Sequence, residues 1–309
     1  MAAKDLKFLT EHDVRSVVSN LDVINTQRAV FPALERGEAA LAPRALLPGP
    51  EDSTAFAYLA RASATSLAVV KMGSITPRNS DKNLPVIHAD VLVQDEHGIL
   101  RTIIDGETIT LMRTAAASAV AIETLTTRHP KKIGLIGSGP QIREHISMIR
   151  ELFSDVEFVI YARNPERRAA LQSISGVRTV DAADKACADV DVLLSATNSI
   201  TPVVNRAWIN SAELYISLGS FAPGRCEFDQ ETLKSATKII VDDRVTAAKQ
   251  AGPIAQAVSE GALSIESLTN LGQLIGSQRT ETGFWIYNSV GIGVQDAAMA
   301  ELVMQRALA

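Results

Sequence analysis

The run Lys131-Lys132-Ile133-Gly134-Leu135-Ile136-Gly137-Ser138-Gly139-Pro140-Gln141-Ile142 holds the residues whose types and spacing most clearly suggest chemistry. Residues 133–136 are too few for a buried helix and suit a parallel strand covered on both faces. Gly137 and Gly139 let the backbone turn tightly and approach a phosphate with no Cβ in the way. A helix over residues 141–153 would then aim its first N–H groups and the positive end of its dipole at a pyrophosphate. A second strand over 157–162 arrives at the spacing a βαβ unit requires. The pattern predicts a dinucleotide site, with Gly137, Ser138, Gly139 and Gln141 as cofactor contacts. One feature opposes it: Ile142 stands at the third glycine position of G-x-G-x-x-G, where helix and strand must pack closely. The alternative is an ordinary strand–turn–helix with two glycines.

Three other positions add to this picture. Lys71 ends an apolar run from Leu67 to Val70. An ammonium in a partly dry pocket has a lowered pKa, which suits a proton donor or acceptor near neutral pH; a lysine snorkelling from a strand end is the alternative. Thr114 is a further candidate for a phosphate contact. Thr197 ends a strand at the carboxyl edge of the sheet, where cofactors lie in open α/β folds. Each threonine could equally cap a helix or a turn. The second strand ends Tyr161-Ala162-Arg163-Asn164-Pro165, with no acid at its tip to accept from a ribose 2′-OH. Arg163, Arg167 and Arg168 gather positive charge there, and Arg163 and Asn164 become candidates for the ribose end of the cofactor. A 2′-phosphate fits that charge, so NADP(H) is expected in preference to NAD(H).

The elements that must position these residues follow from local pattern. Thr10 and Asp13 resemble a helix start, with the helix running to about residue 19. A second helix is expected over 23–36, capped by Asp22, ended by Gly37, and kinked or split at Pro32. From Ala42-Pro43-Arg44 an extended, loop-rich stretch runs to about residue 64. Strands are expected over 67–72, 86–93 and 99–104, the last two joined by an Asp95-Glu96-His97-Gly98 turn. An alanine-rich helix over 110–128 stops at Pro130 and leads into the glycine turn, so the domain boundary falls within it. Further strands are expected over 191–196, 213–218 and 238–241, with a turn at Gly252-Pro253 and a last helix over 294–308. Strands alternating with helices predict an α/β fold with a parallel, doubly wound sheet.

The chain has 309 residues, which suggests two domains, and 46% of them are apolar. Net charge is −5 with both signs scattered, so no basic footprint for nucleic acid is present. No run is long and apolar enough for a membrane span, and the N-terminus lacks the apolar core of a signal peptide. Cys187 and Cys226 form no C-x-x-C and are expected as free thiols in the cytoplasm. The histidines show no metal-ligand spacing, so no metal site is expected.

Several stretches together resemble the ornithine cyclodeaminase/μ-crystallin family: Ala42-Pro43-Arg44, Val70-Lys71, Thr110 with Arg113-Thr114-Ala115-Ala116, Gly137-Ser138-Gly139-Pro140-Gln141, Ala196-Thr197, Pro223 with Glu227, and Gln295-Asp296. The resemblance runs from about Leu9 to the C-terminus. It implies a homodimer, an α+β substrate-binding and dimerisation domain from residues 1–118 plus 290–309, and a Rossmann domain inserted over 119–289. It also implies that Arg44 and Arg113 bind a substrate carboxylate, for which a guanidinium is a planar, bidentate partner. Two positions depart from the cyclodeaminases. Phe221 stands where they carry an aspartate, and Ala55, Phe56, Ala57 and Tyr58 occupy the region of another acid. The expected activity is therefore reduction of a small imino acid with NADP(H), a cyclic ketimine such as pyrroline- or piperideine-2-carboxylate, with Lys71 managing the proton. Ornithine cyclodeaminase, an alanine-dehydrogenase-like or opine-type enzyme, and a crystallin-like protein that binds the nucleotide without turnover are the alternatives.

Overall fold

The computed structural model describes residues 6–82 and 84–307. Packing divides the chain into two units, one running to Thr114 and resuming at Ile292, the other spanning Ala115–Gly291.

The first unit is built on a seven-stranded sheet. Its strands are β1 (Lys7–Leu9), β2 (Ala40–Leu41), β3 (Ala45–Pro48), β4 (Thr54–Arg61), β5 (Val69–Ile75), β6 (Ile87–Gln94) and β7 (Leu100–Asp105). The order is β1-β7-β6-β5-β4-β2, with β3 also paired to β4. All pairs are antiparallel except β1 with β7. The β6–β7 turn is the expected one, with Gly98 at φ 72° where a side chain would be strained. The extended, loop-rich stretch expected over 42–64 instead contributes β3 and β4, and β2 comes just before it. Strand β4 carries Phe56, Tyr58 and Ala60 on one face and Ala55, Ala57 and Leu59 on the other. It is apolar on both sides and rich in alanine, so neither alternation nor β-propensity marks it.

Helix α1 (Glu11–Val17) begins with the expected capping box of Thr10 and Asp13. Helix α2 (Asn20–Glu35) starts earlier than expected. Ser19 is its N-cap, and Asp22 is the third residue of that box rather than the cap. Pro32 neither splits nor ends α2. It falls in the last turn, where its missing N–H costs one bond, and Val23, Ile24, Gln27, Val30 and Phe31 are buried around it. Helix α3 (Gly106–Leu125) also starts earlier, because Asp105 Oδ1 accepts from Thr108 N at 2.7 Å and caps it. The C-terminal helix, Gly293–Ala307, packs on α2 and on β4 and β5. The expected end of that helix, Leu308, lies outside the described residues.

The second unit is an α/β fold around a wholly parallel, doubly wound sheet of eight strands. In chain order the elements are β8 (Lys132–Ile136), α4 (Pro140–Leu152), β9 (Glu157–Tyr161), α5 (Pro165–Ala169), β10 (Val177–Thr179), α6 (Ala183–Cys187), β11 (Val192–Ser195), β12 (Leu214–Ser217), α7 (Gln230–Ser235), β13 (Lys238–Val241), α8 (Arg244–Gln250), α9 (Gly252–Ser259), β14 (Leu268–Asn270) and β15 (Trp285–Asn288). Their spatial order is β10-β9-β8-β11-β12-β15-β13-β14. From β8 the chain steps outward through β9 and β10, and from β11 it steps to β12 on the other side, with β15 inserted between β12 and β13. The switch point therefore lies between β8 and β11. Strands β10, β14 and β15 go beyond the expected set. They are three or four residues long, and all four residues of β15 are buried, so no alternating pattern announces it. Among the described residues no helix is long and apolar enough to cross a membrane, and no cluster suits a metal ion. Both cysteines are free thiols; burial pushes that of Cys187 up to about 12.

Candidate active site

In the first unit, three of the sequence-predicted residues gather on or beside one face of the sheet. Lys71 lies mid-strand in β5, only 3% exposed, opposite Tyr58 on β4 and Val91 on β6. Its Nζ donates to Asp296 Oδ1 at 2.8 Å and to Thr110 Oγ1 at 2.5 Å. Arg113, buried on α3, donates from Nε to the same Asp296 oxygen at 3.3 Å and from a terminal nitrogen to Gln295 Oε1 at 3.3 Å. Arg44 precedes β3, and its guanidinium stacks over the Tyr58 ring, 4.4 Å from the centroid. Lys71 Nζ stands 5.8 Å from that same centroid. Phe56 packs against Tyr58 with centroids 5.4 Å apart.

Two cations therefore share a single carboxylate, and Arg44 lies over the neighbouring Tyr58 ring. Burial pulls the Lys71 ammonium down to about 8, and Arg113 and Arg44 push the same way, while Asp296 opposes them. Burial raises the Asp296 carboxyl, but Lys71 and Arg113 outweigh it through charge and hydrogen bonds and hold it below its ordinary range. Asp296 Oδ2 is buried with no hydrogen-bond partner among the described residues, as is Gln295 Nε2. The cluster thus combines excess positive charge, an ammonium able to change charge near neutral pH, and an open acceptor. It can hold an anion and move a proton.

In the second unit, the glycine turn sits at the carboxyl end of β8. Gly137 has φ 134°, and a Cβ there would lie 2.6 Å from the carbonyl oxygen of Ala196 after β11. Only glycine lets the two strand ends meet at the switch point. A Cβ on Gly139 would meet nothing within 4 Å, which leaves open space at the N-terminus of α4. Gly139 caps that helix without a side-chain hydrogen bond. Ser138 is half-buried in the same turn. Gln141 Oε1 and both amide atoms of Asn288, at the carboxyl end of β15, are buried without partners among the described residues. This edge fits a group that brings its own phosphates, donors and acceptors.

The other sequence-predicted positions divide. Arg163 and Asn164 are exposed at the end of β9. Asn164 is the N-cap of α5, accepting from Arg167 N at 2.8 Å, and Arg168 donates to Ala162 O at 3.0 Å. Thr197 gives both its N–H and its hydroxyl to Glu227 Oε1, at 2.7 and 2.8 Å. Thr114 lies in the first unit's part of α3 and gives its hydroxyl to Thr110 O at 2.6 Å. As a phosphate donor it would first have to release that bond. Phe221 packs under Arg225, whose guanidinium is 5.6 Å from the ring centroid.

The model of the ornithine cyclodeaminase/mu-crystallin family matches residues 4–309. The chain belongs to this family. It is 28% identical to an alanine dehydrogenase of Archaeoglobus fulgidus, over 97% of this chain and 94% of that protein. Among solved structures it is similar to the Delta(1)-pyrroline-2-carboxylate reductase of Thermococcus litoralis in complex with NADH and L-proline, with TM-score 0.91 and 26% identity over 98% of both chains. It is also similar to an archaeal alanine dehydrogenase dimer with bound NAD, with TM-score 0.89 and 27% identity, covering 98% of this chain and 96% of that one.

For a member of the ornithine cyclodeaminase/mu-crystallin family, residue type and spacing alone leave parts of the site unassigned. Asp296 is the shared partner of Lys71 and Arg113, yet 225 positions separate it from Lys71. The Gln295-Asp296 pair belongs to the stretches that carry the family resemblance, but nothing local assigns Asp296 a partner. Tyr58 and Thr110 likewise join the cluster through strand register and helix facing. Asp296→Ala leaves two buried cations without their counter-charge and should cost about 3–5 kcal/mol of stability. Urea unfolding measures this, and a loss under 1 kcal/mol, the range of an exposed pair, would show that the cluster is solvated instead.

Proposed function

We propose that the chain is an NAD(P)-dependent oxidoreductase acting on the carbon–nitrogen bond of a small amino or imino acid, and more narrowly an NADP(H)-dependent reductase of an imino acid such as a cyclic ketimine. The observation that carries this reading is the buried Lys71–Asp296–Arg113 cluster with Arg44 beside it. An imino acid carries a carboxylate and a nitrogen that must be protonated before its carbon accepts a hydride. Arg113 and Arg44 supply guanidinium forks for the carboxylate. Lys71 Nζ holds the proton for the imine nitrogen, and Asp296 Oδ2 is an open acceptor for an N–H of the amine product. The Phe56–Tyr58 pair keeps water from this face. The first unit is thus the substrate-binding and dimerisation domain, and the second the dinucleotide-binding domain. A reduced nicotinamide, when bound, is the source of the hydride. Gly137, Ser138, Gly139, Gln141 and Thr197 line its edge of the sheet.

The relatives named above act on pyrroline-2-carboxylate and alanine, which supports imino and amino acids of that size. No carboxylate stands at Phe221 or among Ala55, Phe56, Ala57 and Tyr58 to act on a terminal amine, which argues against ornithine cyclisation. A panel of cyclic imines, 2-oxo acids with amines, and L-ornithine with NAD tests the reading. NADPH oxidation with a cyclic imine is expected, without ammonia from ornithine. Lys71→Ala should fold and lose about 10² to 10⁴ of kcat/KM. In the wild type, reductive kcat/KM should be level at lower pH and fall as pH rises through about 8, where Lys71 loses its proton. Near-wild-type kinetics in Lys71→Ala, or release of ammonia from ornithine at enzyme-like turnover, would overturn the assignment.

The choice of NADP(H) rests on exposed Arg163 and Arg167 and on the lack of an acid at the tip of β9. Both solved relatives named above hold NADH or NAD, so the alternative is direct to test. Fluorescence titration should give tighter binding of NADPH than NADH, and Arg163→Asp should reverse the order. Equal affinities in the wild type would defeat the preference.

A homodimer is supported by the outer face of the first unit's sheet. Leu59, Val70, Leu92, Ile103 and Phe8 stand side by side across five strands. Phe8 is 57% exposed and Leu59 46% exposed, with Met72 at 50% beside them. A continuous apolar row of this kind suits a second copy of the same face. Sedimentation should show a dimer, and Leu59→Lys with Phe8→Lys should yield monomer. A monomeric wild type would sink this reading.

A further inference from the structure

A carboxylate with no cation in contact among the described residues is buried at the carboxyl edge of the second unit's sheet. Glu227 has no exposed surface. Its Oε1 accepts from Thr197 N at 2.7 Å and Thr197 Oγ1 at 2.8 Å; its Oε2 accepts from Gly219 N at 2.7 Å and Ser217 Oγ at 2.8 Å. Ser220 Oγ accepts from the Glu227 backbone N–H at 3.0 Å. Thr197 follows β11, while Ser217 ends β12 and Gly219 follows it. One side chain therefore ties together the ends of two neighbouring strands. A Cβ on Gly219 would lie 2.5 Å from the Glu227 carboxyl and 2.2 Å from the Thr197 carbonyl, so the fit admits only glycine.

Two of the four donors are backbone N–H groups, which cannot turn round to accept. They favour a charged carboxylate, but burial outweighs them and holds the carboxyl above its ordinary range. A neutral isostere would meet the loops less well, because an amide must turn an N–H₂ towards one of the two fixed N–H groups. The two fixed N–H groups thus favour the ionised form, at a desolvation cost.

Its position gives that charge a use. In a doubly wound sheet the two mononucleotide halves of a dinucleotide lie on either side of the switch point, with the adenosine ribose at the end of the second strand. That strand is β9, so the nicotinamide half belongs to the β11–β12 side, where Glu227 sits. An oxidised nicotinamide ring carries a positive charge and the reduced ring none. We infer that Glu227 is a positioning residue of the nicotinamide half-site, fixing the β11 and β12 strand ends and, through its charge, favouring the oxidised over the reduced cofactor. This inference rests on the reading of the second unit as a dinucleotide site.

Binding of oxidised and reduced cofactor to wild type, Glu227→Gln and Ser217→Ala separates the roles, with thermal unfolding followed in parallel. A purely structural role weakens both forms by one factor. Glu227→Gln should instead weaken the oxidised form more, changing the ratio of the two dissociation constants by roughly tenfold, the scale of a unit charge at protein dielectric. Ser217→Ala keeps the charge and should leave the ratio unchanged. Should Glu227→Gln fail to fold, Glu227→Asp decides: it keeps the charge but cannot span both loops, so both forms should weaken by a common factor. A folded Glu227→Gln with the wild-type ratio, or a Glu227→Asp with a changed ratio or undiminished affinity, overturns the inference. Binding of neither form by the wild type overturns instead the dinucleotide reading on which it rests.

Discussion

The first unit depends on the neutralisation of buried charge. Lys71 and Arg113 are held in the interior against the cost of leaving water, and Asp296 is the carboxylate that makes this tolerable. The surrounding elements serve that contact. Strand β5 carries Lys71 onto the inner face, α3 brings Thr110 and Arg113, and the C-terminal helix returns across 225 positions to deliver Asp296. Gln27 of α2 donates to the carbonyl of Gln295 at 3.3 Å, and Gln295 in turn accepts from Arg113. The polar cluster is thus a continuous network through three helices and one strand. Asp296 Oδ2 and Gln295 Nε2 are left without partners among the described residues, unlike the atoms of a closed structural ion pair.

The second unit solves a different problem. A parallel sheet buries both of its faces, so chemistry is confined to the carboxyl ends of the strands. Those ends are brought close by glycine at the positions where a Cβ would strike a neighbouring backbone. They are tied by carboxylates that accept from the segments beyond neighbouring strand ends. Glu227 does this for β11 and β12. Asp242 does it after β13, accepting from Ser289 Oγ at 3.0 Å and from the N–H groups of Val290 and Gly291 at 2.8 and 2.7 Å. Each acid spends its acceptor capacity on backbone that sheet hydrogen bonding leaves unpaired beyond the strand ends.

The sequence by itself determined the elements whose signal is local. The glycine turn, its strand and helix, and the β9 strand were legible because steric freedom at Gly137 and a short apolar run are properties of neighbouring residues. The Thr10–Asp13 capping box and the Gly98 turn were legible for the same reason. Lys71 and Arg113 were legible through their residue types together with the family's motif order. The tertiary structure decided what depends on a partner far along the chain. Strand β4 carries no alternation because both of its faces are apolar, and only its pairing with β3 and β5 makes it a strand. Strands β14 and β15 are too short to form alone, and parallel neighbours supply their hydrogen bonds. Asp296 becomes the counter-charge of Lys71 only when the C-terminal helix docks on β4 and β5. Glu227 becomes a clamp only when two strand ends arrive side by side. A charge's meaning lies in what surrounds it once water is gone, and that is set by packing rather than by the order of residues.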